Sequence, residues 1–195
     1  MARILVLYGT TEGYTSIIAT HVAETIKANG HEVELRKGSE LPSGFTPEGF
    51  DGVIVGASVH YGEHQEYMRD FVRDNLAFLE SVPSAFFSVR GQVQNKEYLE
   101  KFTEETGWRP EQVATIGGAA VKGYEYNSFF LNQVARLIYL LERIVYFLNP
   151  LIRLIFKREM SLTRRDGMVY LAFTNWEELK RFTERFLGRL SRTAE

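Results

Sequence analysis

The 195-residue sequence contains no cysteine, and this absence excludes several classes of chemistry at once. Without thiols the chain forms no disulfide, uses no catalytic thiolate and holds no cysteine-ligated metal or cluster. The sequence also has no large excess of positive or negative charge, because its net charge is only −2. We therefore expect no nucleic-acid partner. Internal repeats and low-complexity tracts are absent from the sequence. A chain of this length with 45% hydrophobic residues is expected to form a single α/β domain over residues 1–195.

No leader-like segment precedes the first apolar run, which extends from Ile4 to Tyr8. We therefore expect no signal peptide and a cytoplasmic location. No Ser/His/Asp arrangement can be read from the spacing. His60 and His64 are four residues apart and could share one helix face, but two imidazoles without a third ligand make a poor metal site. We expect neither a bound metal nor a catalytic side chain.

Apolar runs alternate with amphipathic stretches along the chain, and this alternation predicts a doubly wound parallel sheet. The run at 52–57 is apolar throughout, as is typical of a strand buried on both faces. Thr174 and Glu177 have the spacing of a capping box at the start of the last helix. The predicted strands are 4–8, 33–35, 52–57, 84–89, 113–119 and 168–173, and the earlier predicted helices are 15–28, 65–79 and 96–106.

The segment from Gly9 to Thr15 joins the first predicted strand to the first predicted helix and is rich in Thr and Gly. Such a loop presents backbone N–H groups at the positive end of a helix dipole, where an anion is stabilised without a lysine. Neither the P-loop pattern nor the dinucleotide Gly-x-Gly-x-x-Gly pattern is present. The loop suits a terminal phosphate monoester, with an ordinary strand-to-helix turn as the alternative. The predicted phosphate-binding residues are Thr10, Thr11, Glu12, Gly13, Tyr14 and Thr15.

The loops that follow the third and fourth predicted strands are the next candidates, since a doubly wound sheet binds its ligand at the carboxyl ends of its strands. A strand order of 2-1-3-4-5 would bring these loops and the phosphate-binding loop to one edge. Tyr61 could stack on a flat ring, and Arg90 or Gln92 could reach ring oxygens and nitrogens. The predicted ring-contacting residues are Ser58, Val59, His60, Tyr61, Gly62, Ser88, Val89, Arg90, Gly91 and Gln92.

A long apolar insertion, at about 123–160, is the other informative feature of the sequence. Residues 127–148 can form one helix about 33 Å long. If it crossed a bilayer, its dozen strong hydrophobes would contribute roughly −4 to −7 kcal/mol, but Arg136, Glu142 and Arg143 would each cost about 2.5 to 3.5 kcal/mol near the centre. Lying in the membrane interface is therefore favoured over crossing the bilayer.

Charge supports the interfacial interpretation, because residues 127–158 carry five Lys or Arg and one Glu. A basic, apolar segment in an otherwise acidic chain is typical of a peripheral anchor on anionic lipid, here the inner face of the cell membrane. A buried helix that covers the sheet, or the interface of a homo-oligomer, remains the alternative. The predicted membrane-contacting residues are Phe129, Phe130, Leu137, Leu141, Ile144, Leu148, Arg153 and Lys157.

Six short blocks spread over nearly the whole chain carry a family resemblance. They read TTEGYT at 10–15, GASVHYG at 56–62, PSAFFSV at 83–89, GWRP at 107–110, GGA at 117–119 and TNWE at 174–177. Through these blocks the sequence resembles the flavodoxins and, more closely, the menaquinone-dependent protoporphyrinogen IX dehydrogenase family. It departs from that family's pattern at His60, where an Arg is expected, and in the long apolar insertion after Lys122.

The resemblance implies a flavodoxin-like, five-stranded parallel sheet and FMN as the cofactor. It also implies oxidation of protoporphyrinogen IX to protoporphyrin IX, a step of haem biosynthesis, with a membrane quinone as acceptor. The chemistry would then take place on N5 of the flavin, while the protein supplies binding and orientation. The alternatives are a flavodoxin-type electron carrier between redox proteins and a flavin-free interaction module. A carrier docks through an acidic face and needs no apolar helix.

Overall fold

The computed structural model describes residues 1–90, 97–121, 161–165 and 168–193. The chain divides into two compact units. The first unit contains residues 1–90, 94–116 and 176–195, and the second contains residues 91–93 and 117–175. Most of the apolar insertion predicted at 123–160 lies outside the described residues, so the helix predicted over 127–148 stays a prediction.

The first unit consists of a sheet with helices on its faces. Its strands are β1 Arg3–Gly9, β2 Glu32–Lys37, β3 Gly52–His60, β4 Glu63–His64, β5 Ser84–Arg90 and β6 Gln112–Gly117. Its helices are α1 Tyr14–Ala28, α2 Glu66–Asp74, α3 Leu76–Ser81, α4 Glu97–Thr106 and α5 Trp176–Thr193, with a 3₁₀ turn at Gly38–Glu40.

The sheet has the strand order β2-β1-β3-β5-β6. Strand β1 pairs in parallel with β2 on one side and with β3 on the other, and β3 pairs in parallel with β5. This is the predicted order 2-1-3-4-5 with one addition, the two-residue strand β4, which pairs antiparallel with β3. The strand order reverses between β1 and β3, where Gly9 lies beside Ala57. Ligands of doubly wound sheets bind outside this switch point.

Both faces of the central strands are buried, as their continuous apolar runs predict. Leu5 and Leu7 of β1 pack in one cluster with Met68 and Phe71 of α2. Alternate residues of a strand point to opposite faces, and Ile4 is also fully buried. Elsewhere in the first unit, helix α1 contacts helix α5. The rigid centre of this sheet therefore fixes the positions of the loops at its carboxyl edge.

The predicted helix over 65–79 is wrong in one respect, because the structure has two helices there. Helix α2 ends at Asp74 and α3 begins at Leu76. Between them, Asn75 has φ −116° and its side-chain amide donates a hydrogen bond of 2.8 Å to the carbonyl oxygen of Phe71. An Asn that bonds the backbone in this way competes with the helical hydrogen bonds, which interrupts the helix.

The second unit contains a separate antiparallel sheet with the strand order β7-β9-β8. These strands are β7 Ala119–Val121, β8 Ser161–Arg165 and β9 Met168–Ala172. The run predicted at 113–119 is thus divided between two sheets, and the run at 168–173 does not join the parallel sheet. Apolar periodicity identifies a strand but carries no information on its neighbours. Among the described residues, no helix is long and apolar enough to cross a bilayer.

Candidate functional site

The phosphate loop, residues 10–13, leads from β1 into α1 as a tight turn. Gly13, immediately before the helix, has a left-handed backbone with φ +87°, a conformation that glycine adopts at little cost. The Gly13 N–H donates a hydrogen bond of 2.9 Å to Oγ1 of Thr10. Oγ of Ser16 donates one of 2.7 Å to the Gly13 carbonyl oxygen. The loop therefore has a fixed shape that its own short polar side chains maintain.

The start of α1 suits an anion. No side chain caps the helix, and its first turn contains no acidic residue, so no carboxylate from that turn stands at the positive end of the dipole. Thr10 to Gly13 form the loop as predicted, with Thr11 exposed, whereas Tyr14 and Thr15 open the helix and are buried. Their contact with a phosphate stays a prediction.

The hairpin of residues 58–64 contains the end of β3, a turn and β4. It is called the ring hairpin here because it includes the first group of predicted ring-contacting residues. Val59 pairs with His64 and His60 pairs with Glu63, so the turn consists of Tyr61 and Gly62 alone. Both turn residues have positive φ, +51° and +86°, as in a type I′ hairpin. Tyr61 projects from the turn with 66% of its surface exposed. The suggestion that His60 and His64 share a helix face is wrong, because they lie on the two strands of this hairpin.

His64 fastens the ring hairpin to β5. Its buried side chain makes T-shaped contacts with the rings of Phe86 and Phe102, which stack on each other, and its Nε2 lies 2.9 Å from Oγ of Ser88. Burial, together with the nearby charges of Arg69 and Lys101, lowers the pKa of His64 to about 4. The imidazole is therefore neutral at pH 7 and acts as part of the core. Within the described part of the chain, no cluster of His, Asp and Glu side chains could hold a metal ion.

Arg90, at the end of β5, lies close to the same hairpin through Tyr98. Its guanidinium carbon is 4.2 Å from the centre of the Tyr98 ring, and a Cβ placed on Gly62 would lie 3.7 Å from Cε1 of that ring. Nη1 of Arg90 is buried and makes no hydrogen bond. Ser88 and Val89, which precede it, are buried. Gly91 and Gln92, also predicted to contact the ring, lie outside the described residues.

Two side-chain contacts join the phosphate loop to the ring hairpin. Nε2 of Gln65 donates hydrogen bonds to Oγ of Ser58 at 2.6 Å and to Oγ1 of Thr11 at 3.1 Å. Nδ1 of His60 lies 2.7 Å from Oε1 of Glu12. The structure thus brings the described predicted loops together, as the strand order required. It also adds Gln65, which the sequence did not reveal, since a Gln before a helix has no distinctive pattern.

Comparison with known proteins places the chain among flavodoxin relatives. It is 28% identical over 189 residues to the protein named protoporphyrinogen IX dehydrogenase [quinone] of Escherichia coli strain K12, with 92% of both chains covered. The protein of the same name from Leishmania major is 26% identical over 94% of this chain and 74% of its own. A flavodoxin from Nitratidesulfovibrio vulgaris is 35% identical, but over 37% of this chain and 49% of its own.

The solved flavodoxin of Streptococcus pneumonia TIGR4 shares the fold, with a TM-score of 0.53 at 14% identity over 96% of this chain and 99% of its own. The residues present fit FMN, because the site combines an uncapped helix start with an exposed aromatic ring. Gly9, at the base of the loop, has no room for a side chain, since a Cβ there would lie 2.5 Å from Cγ of Met68. The flavodoxin-domain family model matches residues 5–137, and the chain therefore belongs to the flavodoxin family and is an FMN-binding oxidoreductase.

Proposed function

We propose that this protein oxidises protoporphyrinogen IX to protoporphyrin IX and that a membrane quinone accepts the electrons. The observation that carries the proposal is the similarity to the Escherichia coli dehydrogenase, which extends over 92% of both chains. Similarity to the Nitratidesulfovibrio flavodoxin is confined to 37% of this chain. The extent of the match favours the enzyme over a flavodoxin-type carrier.

The proposed reaction takes three rounds, and in each round the porphyrinogen loses a hydride from a bridging carbon and a proton. Two of the three protons leave pyrrole nitrogens, and one leaves the fourth bridging carbon. The quinone gains two electrons and two protons and leaves as the quinol. FMN, when bound, supplies a ring nitrogen, N5, that accepts and returns hydride. The side chains of this protein are not required to form bonds with the substrate. Their work is to bind the cofactor, orient both apolar reactants and exclude water.

The described residues have suitable positions for these tasks. The phosphate loop and the start of α1 would hold the FMN phosphate, where the helix dipole favours negative charge. The ring hairpin and the end of β5 would border the flavin ring, with Tyr61 as a stacking platform. The Arg90 cation, held over Tyr98, would stabilise negative charge on the reduced ring.

We further propose that residues 127–158 attach the protein to the inner face of the cell membrane. Five basic residues and one acidic residue among mostly apolar ones support this attachment. Both reactants are apolar, so a surface contact with lipid would keep them near the flavin. The segment lies outside the described residues, and the proposal rests on its sequence.

Anaerobic mixing of the FMN-loaded protein with protoporphyrinogen IX tests the proposed reaction. We expect the absorbance of oxidised flavin to fall as porphyrin fluorescence rises, and the flavin absorbance to return when a quinone is added. A protein whose flavin stays oxidised with the porphyrinogen would contradict the proposal. If its chemically reduced flavin were then reoxidised by redox proteins but not by quinone, it would be an electron carrier.

A further inference from the structure

We propose that Gln65 is a positioning residue that sets the spacing between the phosphate loop and the ring hairpin. One FMN molecule would occupy both of these elements, so their spacing determines whether its two ends can bind together. The inference rests on the assignment of the two elements to FMN, and it is independent of the identity of the electron donor.

The contacts of the Gln65 amide nitrogen support this role. It donates to Oγ of Ser58, at the start of the ring hairpin, over 2.6 Å, and to Oγ1 of Thr11, in the phosphate loop, over 3.1 Å. Thr11 and Ser58 are 47 positions apart in sequence, yet one NH₂ group connects them. A displacement of either loop would lengthen one of these two hydrogen bonds.

The start of α2 holds the phosphate loop at a second point. The hydroxyl of Tyr67 accepts a hydrogen bond of 3.2 Å from the Thr10 N–H. Below it, Gly9 approaches α2 so closely that a Cβ would lie 2.5 Å from Cγ of Met68 and 2.8 Å from Oε1 of Gln65. Gln65, Tyr67 and Met68 thus fix the position at which the loop leaves β1. Gln65 is the member that also reaches the ring hairpin.

The Gln65 side chain keeps one polar atom unsatisfied while it makes its two hydrogen bonds. Its Oε1 is buried and has no hydrogen-bond partner. Rotating the amide would direct its oxygen to the two hydroxyls but would leave the NH₂ group without a partner. In either orientation one polar group is unsatisfied, whereas an apolar side chain would avoid this cost. The structure keeps the amide where it connects the two ligand-binding elements.

The variant Gln65→Met removes both hydrogen bonds and nearly preserves the length of the side chain. FMN occupies both elements, whereas riboflavin reaches the ring hairpin alone and inorganic phosphate reaches the phosphate loop alone. We therefore expect the dissociation constant of FMN to rise at least tenfold, and those of riboflavin and inorganic phosphate to change less than twofold. Titration calorimetry or flavin fluorescence measures the two flavins, and phosphorus NMR measures phosphate.

Gln112 offers a matched control within the same unit. Its Nε2 donates a hydrogen bond of 2.7 Å to the Phe182 carbonyl oxygen, and its Oε1 is likewise buried without a partner. Gln112→Met should lower the melting temperature and leave the ratio of FMN to riboflavin affinity unchanged. Unchanged FMN affinity in Gln65→Met, or an equal loss for FMN and riboflavin, would overturn the proposal.

A double-mutant cycle gives a second test if Gln65→Met folds poorly. Ser58→Ala removes the shorter of the two hydrogen bonds from the other side. If Gln65 acts through Ser58, the loss of FMN affinity in Gln65→Asn combined with Ser58→Ala will be smaller than the sum of the single losses. Additive losses would show that the two residues act separately and would contradict the inference.

Discussion

Among the residues that the structure describes, Tyr61 is the only non-glycine residue with a positive φ. That conformation costs a residue with a Cβ roughly 1 to 2 kcal/mol. The Tyr61 side chain recovers little of this by burial, because 66% of its surface is exposed; its ring makes a T-shaped contact with the His60 ring, with the centroids 4.1 Å apart. A strained backbone that displays an aromatic ring at a proposed cofactor site is consistent with a role in binding.

Comparison of Tyr61→Gly with Tyr61→Ala separates strain from stacking. Both variants lose the ring, so both should weaken flavin binding by an amount on the order of 1 kcal/mol. Only the Gly variant loses the strained Cβ, so its free energy of unfolding should exceed that of the Ala variant by about 1 kcal/mol. Urea unfolding of the apoproteins measures the difference. Equal stabilities would mean that the turn carries no strain.

His64 makes stability depend on pH. Its pKa is lowered from 6.5 to about 4 in the folded protein because the side chain is buried, so between these values the unfolded chain binds a proton that the folded chain does not. The contribution is complete above pH 6.5 and declines by about 3 kcal/mol as the pH falls to 4. His64→Gln should therefore unfold with a flatter pH dependence over this range. Parallel curves for the two proteins would contradict the assignment.

The ring hairpin is held from outside by a cluster of charges. Nζ of Lys101, on α4, lies 3.1 Å from Glu63, and Nη1 of Arg69, on α2, lies 3.7 Å from the same carboxylate. The hydrogen bond from Lys101 lowers the pKa of Glu63. Arg69 is itself buried and binds Glu105 of α4 at 2.9 Å. Ion pairs from both helices thus reach the hairpin at Glu63.

The phosphate loop can be tested with a single charge. Thr11→Asp places a carboxylate beside the proposed phosphate position, and at about 4 Å the repulsion should weaken FMN binding at least tenfold, about 1.4 kcal/mol. Thr15→Asp should weaken it too, but Thr15 is 1% exposed, so that variant would also destabilise the fold. Thr25→Asp, in the last turn of α1, is the control and should keep full affinity. If the Thr11→Asp variant bound FMN with unchanged affinity, the assignment of the phosphate to this loop would be wrong.

Sequence patterns predicted the central elements well. The strand at 52–57 and the helix at 15–28 are present with small shifts at their ends, because continuous or periodic apolar runs leave few alternatives. The antiparallel sheet of the second unit was not predicted, since strand neighbours depend on the whole chain. The Gln65 contacts and the Glu12–His60 pair were missed for the same reason, as they join residues that the fold alone brings together.

At the scale of the molecule, the apolar segment 127–158 should bind anionic membranes reversibly. Binding to anionic liposomes should weaken as salt is added, because attraction between surface charges falls off within a Debye length. Leu137→Glu combined with Ile144→Glu should impair liposome binding and activity with a quinone embedded in the bilayer. Flavin content and activity with a soluble dye should be nearly unchanged.

Two alternatives to membrane binding make opposite predictions. If the segment covers the sheet, the double variant will unfold, and if it joins two copies, the variant will change the oligomeric state. In either case the wild-type protein would not sediment with liposomes. Sedimentation of wild type and variant with anionic and with neutral vesicles, followed by size-exclusion chromatography, distinguishes these outcomes.

Helix α5 has a consequence for the synthesis of the protein. Its residues Phe182 and Phe186 are fully buried, the Phe182 ring lies 6.1 Å from the ring of Phe87 on β5, and Phe186 and Leu190 fill the space beside Gly52 on β3. The ribosome releases these strands more than 80 residues before it completes the helix that covers them. Until then a wide apolar face of the sheet is open to other nascent chains, so translation that stalls before Trp176 should yield aggregates and chaperone complexes rather than a partly active flavoprotein.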